Sequence, residues 1–276
     1  MVPVLVCGSR PRDNRAMGRA YGQYCPLALA AELLCERWTL LIVSRLLDGC
    51  SQFNEIHRGV PRITATMLTQ RLRHLQRAGV VMSRPAPRGA PRKYELTAAG
   101  REFEPLIERL AVWGQQWAPD MRRDDLDPAF LLWSMHMRLD IASMPAGRTV
   151  LAFEFSGAPR EPRRFWLVNE NGAVDMCVND PGYAVDVYVR ADLRLFIEVW
   201  RGFRDLRAEI ASHRVKLIGP AALTKQFPQW LRLSALASFP RKRMGREQRL
   251  SCAARKSNDD RPSGSGQLIR KQTSDP

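Results

Sequence analysis

Apolar residues recur at helical spacing through the first part of the chain. Leu27, Leu29, Leu33 and Leu34 predict a helix beginning near Cys25. Trp38, Leu41, Ile42, Leu46 and Leu47 predict a second, ended by Asp48 and Gly49. Ser51–Glu55 opens a short third, with Ser51 and Asn54 as candidate caps and Gly59 and Pro61 as breakers. From Ile63 to Gly79 the pattern is clearest. Leu68, Leu72 and Leu75 form one stripe, Thr64 stands at the N-cap position, and Gly79 stands where a helix stops. Val80–Met82 and Tyr94–Thr97 then read as short strands around Pro85–Pro91, which cannot be helical. A last helix starts at Thr97 or Ala98, carries Phe103, Leu106, Leu110, Trp113 and Trp117, and stops at Pro119. The last three of these helices before the hairpin, followed by the hairpin itself, make a winged helix-turn-helix, in which the last of the three enters a DNA major groove.

A run of charge at Asp120–Asp127 marks a linker. Beyond it, Pro128–Asp140 reads as helix. Val150–Phe155, Phe165–Val168, Val174–Val178 and Val185–Val189 alternate like strands between Gly, Pro and Asn, and their short spacing predicts an antiparallel sheet. Asp192–Trp200 and Leu206–Ala211 read as helices, Val215–Ile218 as a strand, and Ala221–Leu231 as a closing amphipathic helix. The fold class is therefore α+β. It has a disordered extension at 1–16, a winged domain at 17–119, a sheet domain at 125–235 and a disordered basic tail at 241–276.

Charge adds a partner to this outline. The 276-residue chain has a net charge of +15 and a pI near 10.3, which favours nucleic acid first and an anionic membrane second. Between Glu55 and Glu95 there is no acid, while Arg58, Arg62, Arg71, Arg73, Arg77, Arg84, Arg88, Arg92 and Lys93 all fall there. An ordinary solvated helix mixes signs, so this block reads as a surface for a polyanion. The six cysteines show no CxxC spacing and the four histidines form no cluster with them, which gives no metal site and no cofactor. No apolar run is long enough to span a bilayer, so no membrane is expected and the cytoplasm is.

The winged part resembles the HxlR-type regulators of the MarR-like group. The matching residues are Tyr21-Gly-Gln-Tyr-Cys25-Pro26, Arg37-Trp38-Thr-Leu-Leu-Ile42, Leu47-Asp-Gly49, Phe53-Asn-Glu-Ile56, Leu68-Thr-Gln-Arg-Leu72, Leu75, Gly79, Tyr94-Glu-Leu-Thr97 and Gly100. It departs at Cys35 and Arg62, where the family usually has glycine. The resemblance implies a homodimer joined through its first and last helices. Residues 125–235 resemble the sterol carrier protein-2-like (SCP2-like) fold, through Val185-Asp-Val-Tyr-Val189, Asp192-Leu, Gly202, Val215-Lys-Leu-Ile-Gly219 and Trp230-Leu. That implies a hydrophobic-ligand site.

The candidate DNA-binding residues are Thr64, Thr66, Met67, Gln70, Arg71, Arg73 and His74 on the recognition helix, about 64–78. Arg88, Arg92 and Lys93 join them from the wing, about 84–93. The plainer alternative is a core helix with a solvated arginine face. Cys25, beside Pro26 at a helix start, is a candidate redox or electrophile sensor or else a small packing residue. Cys35 and Cys50 read as core. Phe153, Phe155, Phe165, Leu195, Phe196, Val199, Trp200, Phe227 and Trp230 are either a pocket for a hydrophobic effector or an ordinary core. No His/Asp/Ser or paired-carboxylate constellation accompanies them, so catalysis is not expected. The reading is a dimeric regulator of transcription that binds double-stranded operator DNA. Its rival is a lipid or hydrophobic-metabolite carrier whose winged domain makes protein contacts.

Overall fold

The computed structural model describes residues 20–84, 91–161 and 163–242. The expected extension at 1–16, the wing tip with Arg88, and the tail from 243 onward lie outside the described residues. Helices α1 (Pro26–Leu34), α2 (Thr39–Leu47), α3 (Phe53–Gly59) and α4 (Ala65–Arg77) precede the hairpin β1 (Val81–Arg84) and β2 (Lys93–Leu96). The two strands pair antiparallel, with Val81 opposite Leu96 and Arg84 opposite Lys93. Helix α3 is capped by Gln52 rather than by Ser51 or Asn54, because the Glu55 carboxylate accepts the Ser51 and Gln52 amides. The single last helix expected from 98 to 117 is two, α5 (Ala98–Arg101) and α6 (Glu104–Trp117). Pro105 has no amide hydrogen and its ring would meet the Arg101 carbonyl in a continuous helix, so it sits in the first turn of α6 instead.

The second half begins with α7 (Pro128–His136) and continues through β3 (Thr149–Ser156), β4 (Arg164–Glu170), β5 (Ala173–Cys177) and β6 (Val187–Asp192). Then come α8 (Leu193–Trp200), α9 (Leu206–Ala211), β7 (Val215–Ile218) and α10 (Ala221–Trp230). The strand order is β5-β4-β3-β6-β7. This sheet is mixed, not antiparallel as the spacing predicted. β6 runs parallel to β3, Phe153 lying beside Val189, because residues 178–186 carry the chain from the edge strand β5 past β4 and β3 before it pairs.

Two hydrophobic cores result. The first gathers Ile42, Val43, Leu46, Ile56, Leu68, Leu72, Leu75, Val80 and Leu96. The second gathers Leu151, Phe153, Phe155, Phe165, Val187, Phe196, Phe227 and Trp230 between the sheet and its helices. Trp133 of α7 belongs to the first core although its neighbours Leu131, Leu132 and Met135 belong to the second. The sequence PAFLLWSMH explains this: a helix without a dominant polar face can send apolar side chains into two cores at once. Arg241 and Lys242, placed by the sequence in the tail, are tied to the end of α6. Arg241 donates to the Ala118 carbonyl and pairs with Asp120, and the Lys242 amide donates to the Gln116 carbonyl.

Candidate nucleic-acid interface

Leu68, Leu72 and Leu75 bury one face of α4, and this fixes what the other face presents. Thr64 caps the helix, its hydroxyl oxygen accepting the Met67 amide at 3.2 Å. Thr64, Thr66, Gln70, Arg73 and Arg77 are exposed. On the adjoining hairpin Arg92 and Lys93 are exposed as well. Arg73, Arg77, Arg92 and Lys93 form no ion pair among the described residues. The result is an open polar and cationic strip running from helix to hairpin.

Three candidates turn inward instead. Met67 packs against the first core. Arg71 bonds Glu36, in the α1–α2 turn, at 2.7 Å with both side chains largely covered, so it braces the helix from behind. His74 is half-buried, its Nε2 unpartnered. Burial first, then Arg77 and Arg71, lowers its pKa against an opposing pull from Glu36, and the ring favours the neutral form. The acid-free block is thus partly neutralised from a distance: Glu36 takes Arg71, Asp127 takes Arg62 at 3.1 Å, and Glu95 takes Arg84 at 3.2 Å. Sequence reading missed these pairings because all three acids lie outside the block, two of them far along the chain.

Cys25 is exposed at the N-cap of α1. Cys50 is buried as expected, and burial pushes its thiol up to about 11. Cys35, expected in the core, is exposed because it follows the last turn of α1. Around α1 and α6 stand large exposed apolar side chains: Tyr24, Leu27, Leu29, Leu106, Leu110 and Trp113, the last 59% exposed.

The nine residues nominated as a ligand pocket form a packed core. All but Leu195 are buried, and their rings meet one another: Phe153 touches Phe155, Phe196 and Phe227, and Phe227 meets Trp230 edge-on. Space opens on the other face of the sheet, in a cleft of about 690 Å³ that Phe155 alone of the nine lines. Its arginines already have partners: Glu154 accepts from both Arg164 and Arg190, Glu161 pairs with Arg163, and Glu209 with Arg214. Among the described residues no group of three or more His, Cys, Asp or Glu could hold a metal, and no helix is long and apolar enough to cross a membrane.

A helix with an exposed polar face beside a cationic hairpin is the arrangement of a winged helix-turn-helix. The family model of HxlR-like helix-turn-helix proteins matches residues 33–122. The HTH-type transcriptional regulator YdeP of Bacillus subtilis (strain 168), itself uncharacterized, is 33% identical over 121 residues, 42% of this chain and 93% of YdeP. The HTH-type transcriptional regulator YodB of the same organism is 33% identical over 96 residues, 34% of this chain and 85% of its own length. The solved structure of the reduced form of YodB covers 36% of this chain and all of its own at 29% identity, with a TM-score of 0.32. The chain belongs to the HxlR-like helix-turn-helix family.

Proposed function

We infer that this protein is a DNA-binding transcriptional regulator in which α4 enters the major groove and the β1–β2 hairpin follows the phosphate backbone. One observation carries the reading: the exposed strip of Thr66, Gln70, Arg73 and Arg77 continues into Arg92 and Lys93, with its cations unpaired among the described residues. Gln70 and Arg73 supply the amide and guanidinium that suit adenine and guanine edges, and Arg92 and Lys93 suit phosphates. Arg88 belongs with them by its place in the sequence. Relatives named as transcriptional regulators favour this over a carrier protein.

The working unit is a homodimer. The apolar side chains on α1 and α6 are too many for a solvated face, and a second copy would cover them. Two recognition helices related by a two-fold axis would read half-sites about one DNA turn apart. Such a regulator works beside the chromosome, in the cytoplasm. Cys25 is our candidate sensor, as an exposed thiol at a helix start beside that interface. Cys25→Ser should bind DNA as the reduced wild type does and lose any response to peroxide; wild-type binding that peroxide leaves unchanged removes this role.

The SCP2-like resemblance stays a reading of residues 125–235. A hydrophobic effector would have to open a core that its own aromatic rings fill, so we read the second domain as a packed support for the first. A gel shift with the gene's upstream DNA tests the reading. Binding that survives excess random DNA, and that Arg73→Ala weakens, supports it; no preference over random DNA overturns it.

A further inference from the structure

The α3–α4 turn delivers the recognition helix to DNA, and the second domain grips it. Asp127 caps α7, its Oδ1 accepting the Phe130 amide at 3.1 Å. Its other oxygen, Oδ2, accepts from Arg62 Nε at 3.1 Å, two residues before the Thr64 cap of α4. One carboxylate therefore ties the start of α7 to the entrance of α4. One turn further along α7, Trp133 is 4% exposed in the first core. Its indole lies against Gly59, the last residue of α3. A Cβ at position 59 would sit 2.8 Å from Trp133 Cζ2 and 2.6 Å from Arg45 Cδ, so only glycine admits the indole.

Arg45 of α2 closes the seat from the other side. Its guanidinium lies 4.6 Å from the Trp133 ring centroid and 5.8 Å from that of Phe130, and it bonds Asp48 at 3.0 Å. A desolvated cation held on an indole face is a strong and directional contact. Helices α2 and α3 and the α3–α4 turn thus all meet α7. A further contact between the halves lies elsewhere: Gln115 of α6 exchanges hydrogen bonds with Arg201 at the end of α8. That contact fixes α6 but does not touch α4.

We propose that Trp133 and Asp127 of the second domain are positioning residues for DNA reading, holding the α3–α4 turn so that α4 meets base edges in register. The proposal rests on α4 being the reading helix. Base contacts need alignment to about 0.5 Å, whereas phosphate contacts by long cationic side chains tolerate more. Loosening the seat should therefore cost specific affinity and spare non-specific affinity. It also makes α7 the route by which any event in the second domain would reach DNA, in place of the α6 linker that chain order alone suggests.

The test uses the full chain and two duplexes: one selected by the wild type from a random pool, and one of random sequence. Trp133→Ala and Asp127→Asn should each weaken binding to the selected duplex by about 10-fold, within the usual range for coupled sites. Binding to random DNA should change less than about 3-fold. Asn still caps a helix, so Asp127→Asn removes the tie to Arg62 without uncapping α7. Gly59→Ala should reproduce the loss from the other side of the seat, although alanine is the better helix former, which separates positioning from a weakened α3. Arg62→Gln combined with Asp127→Asn should lose no more than the larger single change. If Trp133→Ala fails to fold, Asp127→Asn and Gly59→Ala decide. Arg73→Ala is measured in the same series. If it lowers specificity and the seat variants leave the ratio of selected to random affinity unchanged, or if the Arg62 and Asp127 losses simply add, positioning is wrong. If Arg73→Ala also leaves that ratio unchanged, the reading helix itself is wrong.

Discussion

Leu27, Leu29, Leu106, Leu110 and Trp113 stand exposed on α1 and α6 of the winged domain, whereas Phe153, Phe155, Phe165, Phe196 and Phe227 are almost wholly buried in the second. Both regions have a buried core, but the winged domain also leaves large apolar side chains clustered on α1 and α6. The winged domain leaves exposed apolar side chains on α1 and α6 and an exposed cationic strip on α4 and the hairpin, and it takes in Trp133 to complete its own core. The sheet domain completes itself and supplies that helix. Under the proposed function, exposed apolar residues on the winged domain and buried ones in the sheet domain should respond differently to the same kind of substitution.

The largest effect is expected inside the second core. Phe196→Ala should destabilise that domain by about 3–5 kcal/mol in denaturant unfolding, since the ring meets Phe153 and Phe155 and leaves a cavity. Trp113→Ala should change monomer stability by less than about 0.5 kcal/mol, as expected of a surface site. It should weaken the dimer by about 2 kcal/mol, read by sedimentation, as expected of a buried interface tryptophan. Equal stability losses from the two would erase the contrast between the regions. Arg92→Ala on the hairpin should weaken specific and random DNA alike and reduce the log–log salt slope by about 0.9, because one fewer phosphate is neutralised. An unchanged slope would remove Arg92 from the interface. The smallest effect concerns His74. Burial beside Arg77 and Arg71 lowers its folded pKa below the ordinary value. The unfolded chain then binds more protons, so this contribution is full above about pH 6.5 and is lost as pH falls through the folded value. His74→Gln should flatten part of the acid limb of stability; His136, also lowered by burial, accounts for a remainder.

The winged domain was legible because its elements are local. Thr64, Leu68, Leu72, Leu75 and Gly79 fix α4 within one stretch, and the structure has its cap and its end where that pattern puts them. What was not legible depends on distant pairing. Arg71 looks like a DNA contact until Glu36 is brought behind it, and Arg62 looks free until Asp127 arrives from sixty-five residues away. The sheet was read as antiparallel because spacing shows that strands succeed one another, not that β6 passes β4 to lie beside β3. The aromatic residues of the second domain look alike in sequence whether they line a pocket or fill it; only their ring contacts distinguish the two. Trp133 left one signal, the absence of any polar face on α7, and that signal does not say which core the indole enters.

If α4 reads bases while the hairpin holds the backbone, Arg73 is the residue at which the two roles separate. Affinities of the wild type and Arg73→Ala should be measured by fluorescence anisotropy on the selected duplex and on random DNA at several salt concentrations. A base-reading Arg73 gives a loss of about 1–3 kcal/mol on the selected duplex, beyond any loss on random DNA. Equal losses on both duplexes would make Arg73 a phosphate contact and α4 no reader of bases there.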